Sequence, residues 1–384
     1  MTGIGIIGAG EIAKTHTEGY LEFPDRCEVR AVCDLYPDKA EELIAAKGLK
    51  NAKAYKEIDR LLSSAEIDAV SICLPPASHA EAAVKALNAG KHVLVEKPMA
   101  RSLSECDEMI AAAGKNGKVL SSVAQNRFRT PNARVKTLIQ EGAAGKVLHA
   151  AVNSYWWRGP SYYDIWWRGT WDVEGGGCLT SHAVHQIDLL LWILGKPDRI
   201  TAIITNVAHD NSECEDLSMA ILEYPGMLAQ LTVSIVNHEE KQELIFQTER
   251  GRISAPWDIA AYRERTNGFP NEDAEGKAAL QKRYESIPAL VHEGHTAQIK
   301  NFLGAIQGTE ELAISGRDGR AAIELIMAIY KSSLNRQPVT LPIARDDVFY
   351  TRDMCKKMPR FHQKTRSIEN YTESGITLGS DLKK

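Results

Sequence analysis

The sequence has no excess of either charge. Its 46 Lys and Arg stand against 50 Asp and Glu, a formal net charge of -4, so it offers no basic surface of the kind that grips nucleic acid. It has no uninterrupted apolar run near the roughly 18 residues of a membrane span. The N-terminus passes directly into GIGIIGAG, without the basic start and long apolar core of a signal peptide. The seven cysteines, Cys27, Cys33, Cys73, Cys106, Cys178, Cys214 and Cys355, are odd in number and never spaced as CxxC, which argues against a disulfide framework and against a thiolate metal site. Together these absences predict a soluble, cytoplasmic protein with no nucleic-acid or membrane partner. At 384 residues the chain exceeds the roughly 250 to 300 at which single cores stop growing, so two domains are expected.

What is present begins with IGIIGAGEIAKTHTEGY: a short buried strand at residues 4–7, then a tight turn into a helix through Gly8, Ala9, Gly10, Glu11, Ile12 and Ala13. In this GxGxxA pattern Gly8 takes the turn, Gly10 leaves out the Cβ that would block a pyrophosphate, and Ala13 lets helix and strand approach. The same glycines also suit a plain strand-to-helix turn. A second apolar run, CEVRAVCD, ends in Asp34, where such a fold places an acid on the adenosine ribose. That carboxylate would repel a 2'-phosphate, which favours NAD over NADP. Asp34 could instead cap the helix PDKAEELIA. Strand and helix patterns then alternate to residue 125, which predicts a doubly wound parallel sheet with ligands at its carboxyl ends. Those ends carry Leu74, Pro75 and His79, then Glu96 and Lys97, then Gln125 with Asn126.

The stretches GIIGAGEIA, LPPASHAEAAVKALNAGKHVLVEKPMA, WWRGTW, EGGGCLTSHAVHQIDLLLWILG and QPVTLPI, in that order, resemble the Gfo/Idh/MocA family, the glucose-fructose oxidoreductase and inositol dehydrogenase relatives, over about residues 3 to 345. The resemblance implies an NAD-binding Rossmann domain at 1–125 and a C-terminal α+β domain at 126–345 with a large, mostly antiparallel open sheet. Within the second domain a helix at 310–335 would pack back on the first, and a polar tail would occupy 346–384. It also implies a catalytic Lys97 followed by a cis proline bond, Glu96 along the cofactor, a catalytic His185, and cofactor contacts from Trp167 and Arg168. A homodimer or homotetramer through the second sheet is expected on the same ground. By residues alone, Lys97 is equally a surface lysine at a strand end.

The glycines at 175–177 are expected to let the main chain crowd the nicotinamide before a helix capped near Thr180 and Ser181. That helix presents His182 and His185. An imidazole titrates near neutrality, which suits His185 as the base, with cationic Lys97 polarising the reacting oxygen; the two roles could be exchanged. Family members often carry aspartate at the position of Ser181, so an orienting or second acid/base role could pass to His182. Zinc is not expected: HxxH gives two ligands, and Asp188 lies further round the helix.

YWWRGPSYYDIWWRGTW, at 155–171, holds five tryptophans, three tyrosines and two arginines. Aromatics in such a stretch can simply fill a core. Two WWRG repeats in a segment punctuated by Pro and Gly read instead as a binding loop, in which indoles stack on sugars and guanidinium forks grip anions. Tyr155, Arg158, Tyr163, Trp171 and His182 are the candidate substrate residues. The expected activity is hydride transfer between NAD(H) and a secondary hydroxyl, or the matching ketone, of a small carbohydrate: a sugar, glycoside or sugar acid. The alternative is an NAD-dependent glycosidase working by transient oxidation, elimination and re-reduction, on a sugar that could be sulfonated or carboxylated. A non-catalytic nucleotide sensor on the same fold is disfavoured by retention of both Lys97 and His185.

Overall fold

The structure, a computed structural model, describes residues 1–369 and 371. Six strands, β1 (Thr2–Ile7), β2 (Cys27–Cys33), β3 (Lys53–Tyr55), β4 (Ala69–Ile72), β5 (His92–Val95) and β6 (Leu120–Ser122), form one sheet in the order β3-β2-β1-β4-β5-β6. Every pairing in it is parallel. The central strands are apolar along their length because both faces are covered, β1 being buried at every residue. The crossovers are α1 (Glu11–Leu21), α2 (Pro37–Ala46), α3 (Ile58–Leu62), α4 (His79–Asn88) and α5 (Leu103–Asn116). This is the doubly wound sheet that the alternation predicts. Edge strand β3 is three residues long and too short to announce itself in the sequence.

After α6 (Thr130–Gln140) the chain builds a second sheet from β7 (Val147–Trp157), β8 (Arg199–Thr205), β9 (Leu217–Tyr224), β10 (Met227–Ser234), β11 (Val236–Thr248), β12 (Arg252–Ala255) and β13 (Ile259–Ala260). The helix α7 (Val184–Leu194) follows β7 in the chain. A short hairpin, β14 (Tyr262–Glu264) with β15 (Pro270–Glu272), stands apart. Three helices, α8 (Ala274–Ser286), α9 (Gly294–Ile306) and α10 (Gly316–Asn335), then lead to β16 (Val339–Thr340), which closes the second sheet in the order β13-β12-β11-β7-β10-β9-β8-β16. Only β10 and β7 run parallel. The Pro225-Gly226 hairpin joins β9 to β10, with Tyr224 opposite Met227 and Gly226 at φ 74.

Two helices cross between the units. α9, which sequence order assigns to the second domain, packs on the first: Ile299, Phe302 and Leu303 share one apolar cluster with Ile4, Ile6 and Tyr20. Gly19 makes room, since a Cβ there would lie 2.5 Å from the Ile299 Cδ1. α10 lies against β8, where the Ser332 and Ser333 hydroxyls accept from the Ala202 and Ile204 amides at 3.0 and 2.9 Å. Its N-terminal end reaches β6: the Ser121 hydroxyl donates to the Ile314 carbonyl at 2.7 Å. The two sheets are thereby tied together with the site between them.

The segment after 345, expected as a polar surface tail, begins inside the protein: Phe349, Tyr350, Met354 and Met358 are buried. The chain then crosses the aromatic loop, pairing Ile368 with Ile165 and donating the Tyr371 hydroxyl to the Ser161 and Tyr162 carbonyls. The rest of that segment, 370 and 372–384, lies outside the described residues. The outer face of the second sheet leaves Ile203, Met219, Ile221 and Leu228 more than half exposed.

Candidate active site

The first glycine turn leaves room for a ligand. Gly8 sits at φ 94, and a Cβ on it would meet the Cys73 carbonyl oxygen at 2.5 Å, whereas nothing lies within 4 Å of a Cβ on Gly10. α1 starts at Glu11 with Gly10 as its cap and no side chain on its first-turn amides, the arrangement that receives a pyrophosphate. Ala9 and Ile12 flank the turn, part-buried. Asp34 ends β2 beside it. Its carboxylate accepts from the Ala9 and Tyr36 amides at 2.8 and 2.9 Å, and Tyr36, not Asp34, caps α2. Leu74 lies against the turn, 3.2 Å from where a Gly8 Cβ would be, and Pro75 follows part-buried. The Gln125 Oε1, buried at the carboxyl end of β6, has no hydrogen-bond partner among the described residues. An open cradle at Gly10, an acid at the end of β2 and this orphaned acceptor fit a dinucleotide lying along the carboxyl ends of the strands.

His79 departs from the expected cofactor contact. It is fully buried, its ring nitrogens 2.8 and 2.7 Å from the Pro98 and Leu74 carbonyls, so it braces the two strand ends and has no face left for a ligand. The Lys97-Pro98 bond is cis. Glu96 is buried too, in a network without local sequence signal: Oε1 accepts from His16 Nε2 at 2.9 Å and lies 3.6 Å from His295 Nε2, while Oε2 accepts from the Lys97 amide. Burial alone would raise the Glu96 carboxyl; the hydrogen bonds and charges of His16 and His295 hold it well below its ordinary value.

Lys97 and His185 line one pocket with Val123, Ala124 and Val184. The Lys97 ammonium donates to the Ser181 carbonyl at 3.0 Å, and burial lowers its pKa, with Glu96 pulling the other way. His185 differs from expectation in charge. Burial, then the nearby Lys97, takes its pKa to about 3, so near neutrality it is an uncharged ring and a weak base. The expected caps are also displaced. Residues Leu179–Ala183 form a π-helical turn ahead of α7, with Thr180 and Ser181 inside it and both hydroxyls donating back to the Gly177 carbonyl. Ser181 has one proton, and it goes to Gly177 at 2.7 Å; the His182 Nδ1, 2.8 Å from the same oxygen, must therefore donate. His182 Nε2 is left with its lone pair, and burial followed by the charge of Arg158 keeps the ring well below its ordinary pKa, hence neutral.

The glycines at 175–177 do not reserve space for a nicotinamide. A Cβ on Gly176 would sit 2.1 Å from the Tyr330 hydroxyl, on Gly177 2.0 Å from the Glu215 carbonyl, and on Gly175 2.8 Å from the Arg101 Cγ. They admit α10 and the residues ahead of β9. Glu215, unmarked in the sequence, accepts from the Gly177 and Leu179 amides and the Tyr330 hydroxyl, and burial raises it to about 7. Asp188 is held bidentately by Arg127 at 2.7 and 2.8 Å, and Arg127 also reaches Asp318 of α10 at 3.0 Å.

The aromatic stretch divides between core and cleft. Tyr163 and Trp171 are buried at 0% and 1%, the first against His209, the second edge-on to Tyr330, and present no surface to a substrate. Tyr155 is on the wrong side of β7: side chains alternate along a strand, and its neighbour Trp156 is the one that reaches His182, with ring centroids 5.4 Å apart. Tyr155 instead bonds Asn153 on the outer face. Arg158 and Arg168 lie near enough to Lys97 and His182 for their charges to act on both. Arg168 lies 4.2 Å from the ring of Tyr162 and 4.3 Å from that of Trp167, donates to the Tyr162 hydroxyl, and sits 3.5 Å from Glu174. Tyr162 in turn meets His182 at 5.6 Å. Glu174 is raised to about 7 by burial, and its one sequence mark is standing directly ahead of the three glycines. Trp156, Tyr162 and Glu174 thus join the site where Tyr155, Tyr163 and Trp171 leave it.

A family model described as oxidoreductase family, NAD-binding Rossmann fold matches residues 2–124, and one described as GFO/IDH/MocA C-terminal domain matches 132–254. Myo-inositol 2-dehydrogenase of Thermotoga maritima is 25% identical over 88% of this chain and 98% of its own length. D-glucoside 3-dehydrogenase of Escherichia coli is 31% identical over 50% of this chain and 54% of its own. The structure of the WlbA dehydrogenase from Bordetella pertussis, in complex with NADH and UDP-GlcNAcA, superposes with a TM-score of 0.77 at 26% identity, covering 89% of this chain and 98% of that one. Among the described residues, no helix is long and apolar enough to cross a membrane.

Proposed function

The chain belongs to the Gfo/Idh/MocA oxidoreductases and carries their NAD-binding Rossmann domain, and from that premise we propose that it transfers a hydride between NAD(H) and a secondary hydroxyl, or the matching ketone, of a sugar, glycoside or sugar acid. The observation that carries the reading is the meeting of Lys97, from the end of β5, with His185, from α7, in one pocket. NAD would be held by the Gly8–Gly10 turn, Asp34, Gln125 and the Trp167–Arg168 pair, and when bound it supplies the nicotinamide that accepts or gives the hydride. Asp34, an acid where a 2'-phosphate would fall, favours NAD over NADP.

The chain's own residues supply the proton chemistry. Lys97 is the titrating member. Burial brings its ammonium down toward the range in which it can take and return the proton of a reacting hydroxyl, and the Ser181 carbonyl aims it. His185 is the neutral partner, a hydrogen-bonding group that fixes the reacting oxygen without competing for its proton. Of the two assignments left open by the sequence, the electrostatics favour this exchanged one. His182, its Nδ1–H committed to Ser181, offers Nε2 as an acceptor for a sugar hydroxyl, which is how this chain works without the family aspartate at 181. The indole of Trp156 and the ring of Tyr162 are the surfaces on which a pyranose would stack.

The half-exposed apolar side chains on the outer sheet face support a homo-oligomer built through that face, and the scattered free cysteines suit a cytoplasmic setting. The activity is tested by incubating the protein with NAD and a panel of sugars, glycosides and sugar acids while following both NADH and aglycone. Stoichiometric NADH is expected. Aglycone release with no net NADH would instead establish the oxidation-elimination-reduction route of a glycosidase.

A further inference from the structure

The wall that carries His182 has a charge that the hydride-transfer reading does not use. Arg158 follows β7, its guanidinium carbon 5.1 Å from the ring of Trp156 and 5.6 Å from that of Tyr162. Both rings touch His182, and His182 bonds Ser181, whose carbonyl holds Lys97. Arg158 is therefore part of the same wall. Its guanidinium donates to the Trp157 carbonyl at 2.8 Å, and among the described residues no carboxylate lies within ion-pair distance of it. The other inward arginines are neutralised: Arg101 by Glu105, Arg127 by Asp188, Arg320 by Asp107. Around Arg158 the balance stays positive. Arg158, Lys97 and Arg168 all act on His182, and Glu174, the acid beside Arg168, is half-protonated near neutrality because burial raises it to about 7.

We propose that this corner is a subsite for an acidic substituent of the sugar, an oxyanion gripped by the Arg158 fork while the ring stacks on Trp156 and Tyr162. The inference rests on the sugar-oxidoreductase reading and sharpens it. A guanidinium can donate to a neutral sugar hydroxyl, but a partly desolvated one with no carboxylate partner among the described residues gains most from a negative group, with which its bonds are charge-assisted on both sides. The cofactor phosphates do not explain Arg158, since their cradle is at the Gly8–Gly10 turn on the first sheet.

The test is calorimetric binding to the full-length protein, with and without NADH, of matched pairs differing only in charge: methyl glucuronide against methyl glucoside, galacturonate against galactose, and the 6-sulfonate and 6-phosphate of glucose against glucose. At least one acidic sugar is expected to bind about ten- to hundredfold more tightly than its neutral twin, and the preferred arm names the oxyanion. Arg158→Gln should erase the difference, Arg158→Lys should keep part of it, and NADH affinity should be unchanged in both, which also shows that they are folded. No preference in any pair, a preference that survives Arg158→Gln, or a loss of NADH binding in its place overturns the proposal. Arg158-dependent binding of an acidic sugar that is never oxidised would leave the subsite standing and fell the hydride-transfer reading instead.

Discussion

Lys97 and Ser181 meet at 3.0 Å, ammonium to carbonyl oxygen, across 84 positions of chain and the junction of two sheets. Ser181 lies inside the π-helical turn at Leu179–Ala183, an irregularity of winding of the kind often found at functional sites. The Lys97 ammonium, at the end of a first-sheet strand, is thus held by a backbone carbonyl that precedes α7.

Replacement of Lys97 by Met should lower kcat by about 10²- to 10⁴-fold, the usual worth of a positioned acid/base, while leaving NADH affinity within a few-fold. Steady-state NADH formation and NADH fluorescence titration, run on the same preparation, separate the two. Loss of cofactor binding in parallel with turnover would make Lys97 a binding residue.

The pH profile follows from which group titrates. With His185 at about 3, its proton is gone well below the working range. The rise of kcat/KM for alcohol oxidation with pH should then reflect Lys97 losing its proton, at a midpoint below the ordinary 10.5 of lysine. His185→Gln should reduce the rate by about ten- to a hundredfold without moving that midpoint. A limb near 6.5 that vanishes in His185→Gln would restore the histidine as base.

Asp34 is expected to set cofactor choice. The double variant Asp34→Ala with Leu35→Arg removes the repelling carboxylate and adds a cation, and should shift the ratio of NADP to NAD kcat/KM upward by roughly ten- to hundredfold. Because Asp34 also braces the Ala9 amide, Asp34→Ala alone should weaken both cofactors.

Buried Glu215 gives stability a pH dependence. Its folded pKa of about 7 exceeds the ordinary 4.5, so the fold holds this proton more firmly than the unfolded chain does. The contribution is complete below about 4.5, declines as pH rises through the window to about 7, and above that leaves a penalty on the order of 3 kcal/mol. Glu215→Gln cannot ionise. Its melting temperature relative to the parent should therefore climb between about pH 5 and about pH 8; a constant offset would mean that Glu215 is already charged at low pH or never charges.

The homo-oligomer proposed through the outer sheet face predicts that Met219→Lys with Ile221→Lys lowers the light-scattering mass to that of one protomer, with the far-ultraviolet circular dichroism unchanged. A parent mass already that of one protomer, or a mass the variant leaves unaltered, would overturn the proposed interface. These two side chains are on the solvent face of β9 in the protomer, so the fold itself should tolerate the charge.

Local order along the chain was enough to determine the first half of the molecule. A parallel sheet buried on both faces needs continuous apolar strands, and the turn at Gly8, the acid at Asp34 and the strand end at Lys97 lie next to the runs that position them. The family motifs pointed to Lys97 and His185, which line one pocket, and to Trp167 and Arg168, which lie against each other. What only the tertiary structure decided is which neighbours those residues have. A strand's two faces are equivalent until something packs on one, so Trp156 rather than Tyr155 faces His182 only because α7 covers that side. Glycines in a row say that something comes close but not what, and here it is Tyr330, Glu215 and Arg101 rather than a cofactor. Buried ionisable groups are tuned by desolvation and by charges brought from distant segments, which is why the neutrality of His185, the raised carboxyls of Glu174 and Glu215, and the lack of a carboxylate beside Arg158 among the described residues have no mark in the linear order of residues.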